Sequence, residues 1–251
     1  MSIKLTQYLV IPSFDIFMKN IALCSIAPPQ ADCVKYILTF RTMLPPETVR
    51  GALPSLVQLL KSPLVVVHTY AAAAIDKILI MKDGEGKALL KSQDLAPLAE
   101  DLLKNLFSAF DLPGSSENEY VMKAVMRSFS GLQEAVVPYL AHLLPPLTNK
   151  LAQAAKNPTR PHYNHYLFES LSLSIRIVCK EQPSAVANFE SVLFPVFQEI
   201  LQVSRALREI LSENSFLVRV FLGAYQGQST PVGTRKIEFL HSQIEFLHFF
   251  H

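Results

Sequence analysis

Residues 112–132, LPGSSENEYVMKAVMRSFSGL, join a sharp helix stop to a marked helix start. Pro113 and Gly114 break whatever helix precedes them. Ser115 and Ser116 are candidate caps for the next one, with Glu119 three residues after Ser116 in capping-box register. From there Val121, Ala124, Val125, Phe129 and Leu132 recur at helical spacing, while Lys123 and Arg127 fall on other faces. The stretch therefore predicts a turn between two helices, the second with one apolar stripe that neighbours must cover.

Outward from this turn the same grammar repeats, which bears on the whole fold. ALPSLVQLL from Ala52, LAPLAEDLL from Leu95, VVPYLAHLL from Val136 and LFPVFQEIL from Leu193 share a pattern of apolar residues around Pro54, Pro97, Pro138 and Pro195. Proline costs a helix little in its first turn, so each segment reads as the start of an outer helix, with Pro138 and Pro195 the candidates to sit deeper and kink theirs. A second series interleaves with the first: VKYILTF around Tyr36, HTYAAAAIDKIL around Tyr70, NEYVMKAVMRSF around Tyr120 and NHYLFESLSLSI around Tyr166. Small or branched residues after each tyrosine let a neighbouring helix approach closely. The expected outer helices lie near 53–61, 95–110, 136–155 and 185–202, and the inner ones near 32–44, 65–82, 118–133 and 163–181. Pairs that bury their stripes only by stacking on the next pair make an all-α solenoid, and a period of roughly 40 to 47 residues belongs to HEAT or armadillo arrays of antiparallel helix pairs.

The composition agrees with helices. Half of the 251 residues are hydrophobic and only 8 are glycine, and no alternating runs flank Asn-Gly or Asp-Gly turns. A formal net charge of +2 with scattered basic residues leaves no footprint for nucleic acid or an anionic membrane, and a protein partner is expected. Cys24, Cys33 and Cys179 match neither a zinc site nor a disulfide framework, which fits reduced thiols in an intracellular protein. The apolar start MSIKLTQYLVIPSFDIF is interrupted by Gln7, Pro12 and Asp15, too short in its runs for a membrane span or signal peptide.

Enzyme chemistry finds no support. There is no GxSxG elbow, no phosphate loop and no GxGxxG; Gly84 and Gly86 stand in a hinge-like loop, DGEGK. Cys179 on an apolar helix face reads as a packed thiol, and no cofactor is expected. His162, His165 and Glu169 lie along one helix face and suit zinc in principle, yet a surface pair of His165 with Glu169 is the simpler reading, so no metal is expected.

LPGSSENEYVMKAVMRSFSGLQEAVVPYL, VVVHTYAAAAIDKIL and KNPTRPHYNHYLFESLSLSIRIVCK closely resemble the middle-to-late HEAT repeats of the cellular apoptosis susceptibility family, exportins of the importin-β superfamily. The likeness runs from about Ala31 to Gln202 and includes loops as well as helix faces. It implies a karyopherin that binds importin-α and Ran-GTP in nucleocytoplasmic transport, found in the cytoplasm and the nucleus. The expected organisation is a divergent segment 1–30, a HEAT array 31–202 of about four helix pairs, and a divergent, partly helical tail 203–251. The tail repeats IEFLH and places Ile237, Leu240, Ile244 and Leu247 on one stripe, suited to docking on the last pair. Family members are several times longer, so the chain reads as a truncated or alternative form, with a non-transporting scaffold or competitor as the second functional reading. Repeat ends left uncovered would favour self-association.

Two polar loops at repeat edges are the candidate partner contacts. The first offers Ser116, Glu117, Asn118 and Glu119; the second offers Lys156, Asn157, Arg160, His162, Asn164 and His165. The alternative is that these residues only cap and turn the chain.

Overall fold

In the computed structural model, the described residues are 27–156 and 159–181, together with 189, 191 and 193. The expected outer helix at 185–202 lies outside them except for those three positions, as do segment 1–26 and the tail from 194 onward. The chain divides into two compact units, residues 1–128 and 129–251. Each is described by itself.

Unit 1 begins with α1 (Ala27–Phe40), α2 (Pro46–Leu59) and α3 (Val65–Leu79). A short helix α4 (Ser92–Leu95) and a 3₁₀ turn (Ala96–Leu98) lead into α5 (Ala99–Ala109), and α6 (Glu119–Leu132) starts after the 112–118 loop. Helix α3 packs against both α1 and α2, while α2 also meets α5. Two layers result: an inner one through α1, α3 and α6, and an outer one through α2 and α5. The alanines of α3 explain the close approach. Ala71, Ala72 and Ala74 are fully buried beside Val67, Ile75 and Ile78, and their single methyl groups do not hold neighbours away.

Unit 2 contains the 3₁₀ turn Gln133–Val136, α7 (Val137–Lys156) and α8 (Pro161–Glu181), the last two packed as a pair. Gln133 takes φ 52°, the left-handed conformation that reverses the chain after α6. In α8 the buried Ser170, Ser172 and Ser174 return their hydroxyls to the carbonyls of Tyr166, Phe168 and Ser170 at 2.7–2.8 Å. Each buried donor is thus satisfied within its own helix.

Several boundaries differ from the reading of the sequence. The first outer helix starts at Pro46 rather than near 53, because Pro45 supplies the extended residue and Pro46 the preset φ of a helix start. Pro54 therefore lies inside α2, where its missing N–H leaves the Arg50 carbonyl without an intrahelical donor. Pro97 sits in the 3₁₀ turn, and Pro138 is the second residue of α7, in the first turn and not deeper. The prolines inside α7 are Pro145 and Pro146. The inner helix begun at Val65 stops at Leu79, short of 82.

The DGEGK segment is pinned, where a hinge was expected. Asp83 Oδ1 accepts from the backbone N–H groups of Glu85 and Lys87, each at 2.9 Å, and Lys82 pairs with Ala88 in an antiparallel bridge. From α2, Arg50 Nη2 donates to the Leu89 carbonyl at 2.9 Å. Gly86, at φ 77°, supplies the reversal.

Candidate functional site

The loop at 112–118 is a double turn. The Ser115 N–H donates to the Leu112 carbonyl at 3.1 Å across Pro113 and Gly114, with Gly114 at φ 75° as a type II turn requires. The Asn118 N–H then donates to the Ser115 carbonyl at 3.1 Å, leaving Ser116 and Glu117 exposed at the tip.

The expected capping box of Ser116 with Glu119 does not form. Asn118 is the cap: its Oδ1 accepts from the N–H groups of Tyr120 and Val121 at 3.1 and 3.4 Å, and Glu119 becomes the first helical residue. An asparagine competes well for this role, and its amide leaves a second donor. Asn118 Nδ2 uses it on Thr69 Oγ1 of α3 at 2.7 Å. Ser115, the other expected cap, is fully buried. Of the first loop's candidates, Ser116, Glu117 and Glu119 face outward to differing degrees, while Asn118 holds the loop to α3.

The second loop is shorter than expected, because α8 begins at Pro161 rather than 163. Lys156 closes α7 and is exposed. Asn157 lies outside the described residues. Arg160 is exposed, and its carbonyl accepts the Asn164 N–H at 2.9 Å as α8 starts. His162 is exposed on the first turn of that helix. Asn164, read as a loop residue for partner contact, lies inside α8 and is buried, since the helix turns its position toward the face that carries Tyr163 and Leu167. His165 Nε2 lies 3.6 Å from Glu169 Oε2, the helical pair expected from their spacing. Among the described residues no group of three His, Cys, Asp or Glu is placed to hold a metal ion.

Electrostatically, unit 1 is organised by a residue that the sequence reading passed over. Asp76 of α3 has a side chain only 3% exposed. Arg127 Nε of α6 donates to its Oδ1 at 3.0 Å, and the ammonium groups of Lys77 and Lys123 stand 3.6 and 3.7 Å from Oδ2. One carboxylate thus faces three cations. A buried charge needs such partners to offset lost hydration. The signal available in the sequence was the repeat itself: Lys123 and Arg127 lie about one repeat after Asp76, where stacked inner helices meet.

One other pairing and two cysteines bear on reactivity. Lys180 near the end of α8 hydrogen-bonds Glu134 of the 3₁₀ turn and holds its carboxyl below the usual range. Cys179, half-buried, has its thiol pushed up by loss of hydration, and Cys33 is buried. Cys24 lies outside the described residues. An open cleft of about 460 Å³ is lined by Gln30, Pro54, Ser55, Gln58, Leu98 and Asp101 among others, and Asp101 is the one titratable group in that lining. No helix among the described residues is long and apolar enough to cross a membrane.

Residues 76–207 match the family model described as CAS/CSE protein, C-terminus, and residues 15–75 match the model described as Cse1. Exportin-2 of Danio rerio is 54% identical over 173 residues, which cover 69% of this chain and 18% of that protein. Exportin-2 of Homo sapiens is 52% identical over the same shares. The chain therefore spans about a fifth of the length of the curated relatives it matches. A solved structure, the exportin Cse1 in its cargo-free, cytoplasmic state, superimposes with a TM-score of 0.62 and 26% identity, covering 92% of this chain and 25% of the other.

Proposed function

The chain belongs to the CAS/CSE family, and from that membership we propose that it serves in nuclear export as a receptor segment that binds importin-α together with Ran-GTP. The observation that carries this reading is the identity of 54% with an exportin over 173 residues, a span long enough to include loops as well as packed faces. Recognition by such a segment is surface chemistry: no bond is made or broken, no cofactor is held, and its place of action is the cytoplasm and the nucleus.

The exposed edge residues are the proposed contacts. Exposed Ser116 and Glu117, with partly buried Glu119 beside them, give the first loop an acidic rim, while Lys156, Arg160 and His162 give the second a basic one. Each rim suits a partner segment of the opposite charge, where complementarity sets register and encounter rate more than affinity. Asn118 is assigned to holding structure, and Asn164, being buried, is removed from the contact.

The test is a pull-down of the purified chain with importin-α, with and without Ran locked in its GTP form. Ran-dependent capture is the expected result. A folded, helical chain that captures neither partner overturns the reading. The double reversal of Glu117 and Glu119 to lysine is expected to weaken capture, and unchanged capture would remove the first loop from the contact. As a second reading we propose a protein-binding scaffold or competitor that holds one partner without completing an export complex. Capture of importin-α alone, indifferent to Ran, is its signature.

A further inference from the structure

Helices α3 and α6 lie side by side and parallel, joined near their starts by the Asn118–Thr69 hydrogen bond at 2.7 Å and further along by Arg127 on Asp76 at 3.0 Å. Each turns one stripe outward at spacing i, i+3, i+7. On α3 the stripe is Tyr70, Ala73 and Lys77; on α6 it is Tyr120, Lys123 and Arg127. The composite face is therefore graded. Tyrosines lie toward its start, with Tyr120 at 48% exposure and Val66 at 46%, and cations lie toward its end.

At the cationic end Lys77 and Arg127 together carry more positive charge than Asp76 neutralises. Asp76 is shared by Lys77, Lys123 and Arg127, whose side chains are 39%, 24% and 32% exposed and so reach water. Glu119, at the first position of α6, lies at the opposite, tyrosine end. Arg127 meets Asp76 through Nε, so its terminal amino groups remain a forked donor of the shape that takes a carboxylate in bidentate fashion. Tyrosine beside arginine is also the pairing enriched where protein interfaces concentrate their energy.

From this arrangement we infer that the α3–α6 face docks an acidic segment of a protein partner, its carboxylates on Lys77 and Arg127 and an apolar side chain on Tyr70 and Tyr120. A free phosphate would use only the cations; the aromatic half of the face selects a peptide. The inference stands apart from the export reading, since an acidic peptide can be captured without importin-α or Ran, and either can fail while the other holds.

The experiment uses the full chain and a short fluorescein-labelled peptide of alternating glutamate and phenylalanine, read by fluorescence anisotropy. Binding is expected, weakening as salt rises. Lys77→Gln and Tyr120→Ala are each expected to weaken it about fivefold or more, and Tyr120→Ala, at an exposed position away from Asp76, does so with the melting temperature preserved. A peptide with lysine in place of glutamate is expected not to bind. The inference is overturned by absent binding, by equal binding of the lysine peptide, by indifference to both substitutions, or by inorganic phosphate displacing the peptide while Tyr120→Ala has no effect, which would make the face a simple anion site.

Discussion

Asp76 and Asn118 hold α6 to α3, each by an interaction about one repeat away in sequence. Removing the carboxylate in Asp76→Ala leaves three cations facing one another, although their partial exposure lets water relieve some of the repulsion. The expected loss is about 2 kcal/mol, within the range for hydrogen bonds to charged groups, read as a lower urea midpoint with unchanged slope. Asn118→Ala loses both the cap and the tie to Thr69, for about 1–2 kcal/mol in the same measurement. If Asn118 were only a surface contact, stability would not move. Cys179 gives a chemical readout. Burial raises its thiol, so its thiolate fraction at neutral pH lies below that of a free cysteine, and iodoacetamide should react with it more slowly than with glutathione. Faster reaction would contradict the half-buried placement.

At the scale of elements, the turns rather than the helices carry the specific chemistry. Gly114 is at φ 75°, and a Cβ placed there would stand 3.3 Å from Val65 Cγ2 at the start of α3. Gly114→Ala should therefore cost about 1–2 kcal/mol from backbone strain, with Val65 obliged to shift as well. Gln133 poses the opposite case, a side chain in the left-handed region at the end of α6. Gln133→Gly is expected to stabilise the fold by up to about 1 kcal/mol, seen as a higher melting temperature. A lower one would mean that its side chain contributes more than the backbone strain removes. The 83–87 loop has the glycines of a hinge, but Asp83 and Arg50 lock it through hydrogen bonds that glycine content does not reveal.

At the scale of the molecule, stacking of amphipathic pairs is the source of the core described in unit 1. Repeats that bury their stripes against one another also offer apolar surface wherever the stacking is incomplete. Leu64, Val65 and Val66 at the start of α3, and Met43 between α1 and α2, are exposed apolar side chains of this kind. Self-association is expected, with a mass by light scattering that rises above 28.1 kDa as concentration increases. A constant monomer mass over the accessible range would show that the exposed apolar residues are too scattered to join copies.

What the sequence determined by itself was the part written in local pattern. The repeated prolines, the tyrosine-led helices and the 3.6-residue periodicity specify helix pairs and their order, because helix formation and the covering of an apolar stripe depend on neighbours a few residues apart. The loop likenesses carried the family for the same reason, being contiguous strings. What only the tertiary structure decided lies between repeats. Asn118 prevailed over Ser116 as cap because its amide could also reach Thr69. Asn164 turned inward because α8 starts at Pro161 and fixes its face. Lys77, Lys123 and Arg127 became one charged cluster because Asp76 lies where the two inner helices meet. Such meetings depend on how stacked helices align across about one repeat of chain, and local periodicity carries no record of that alignment.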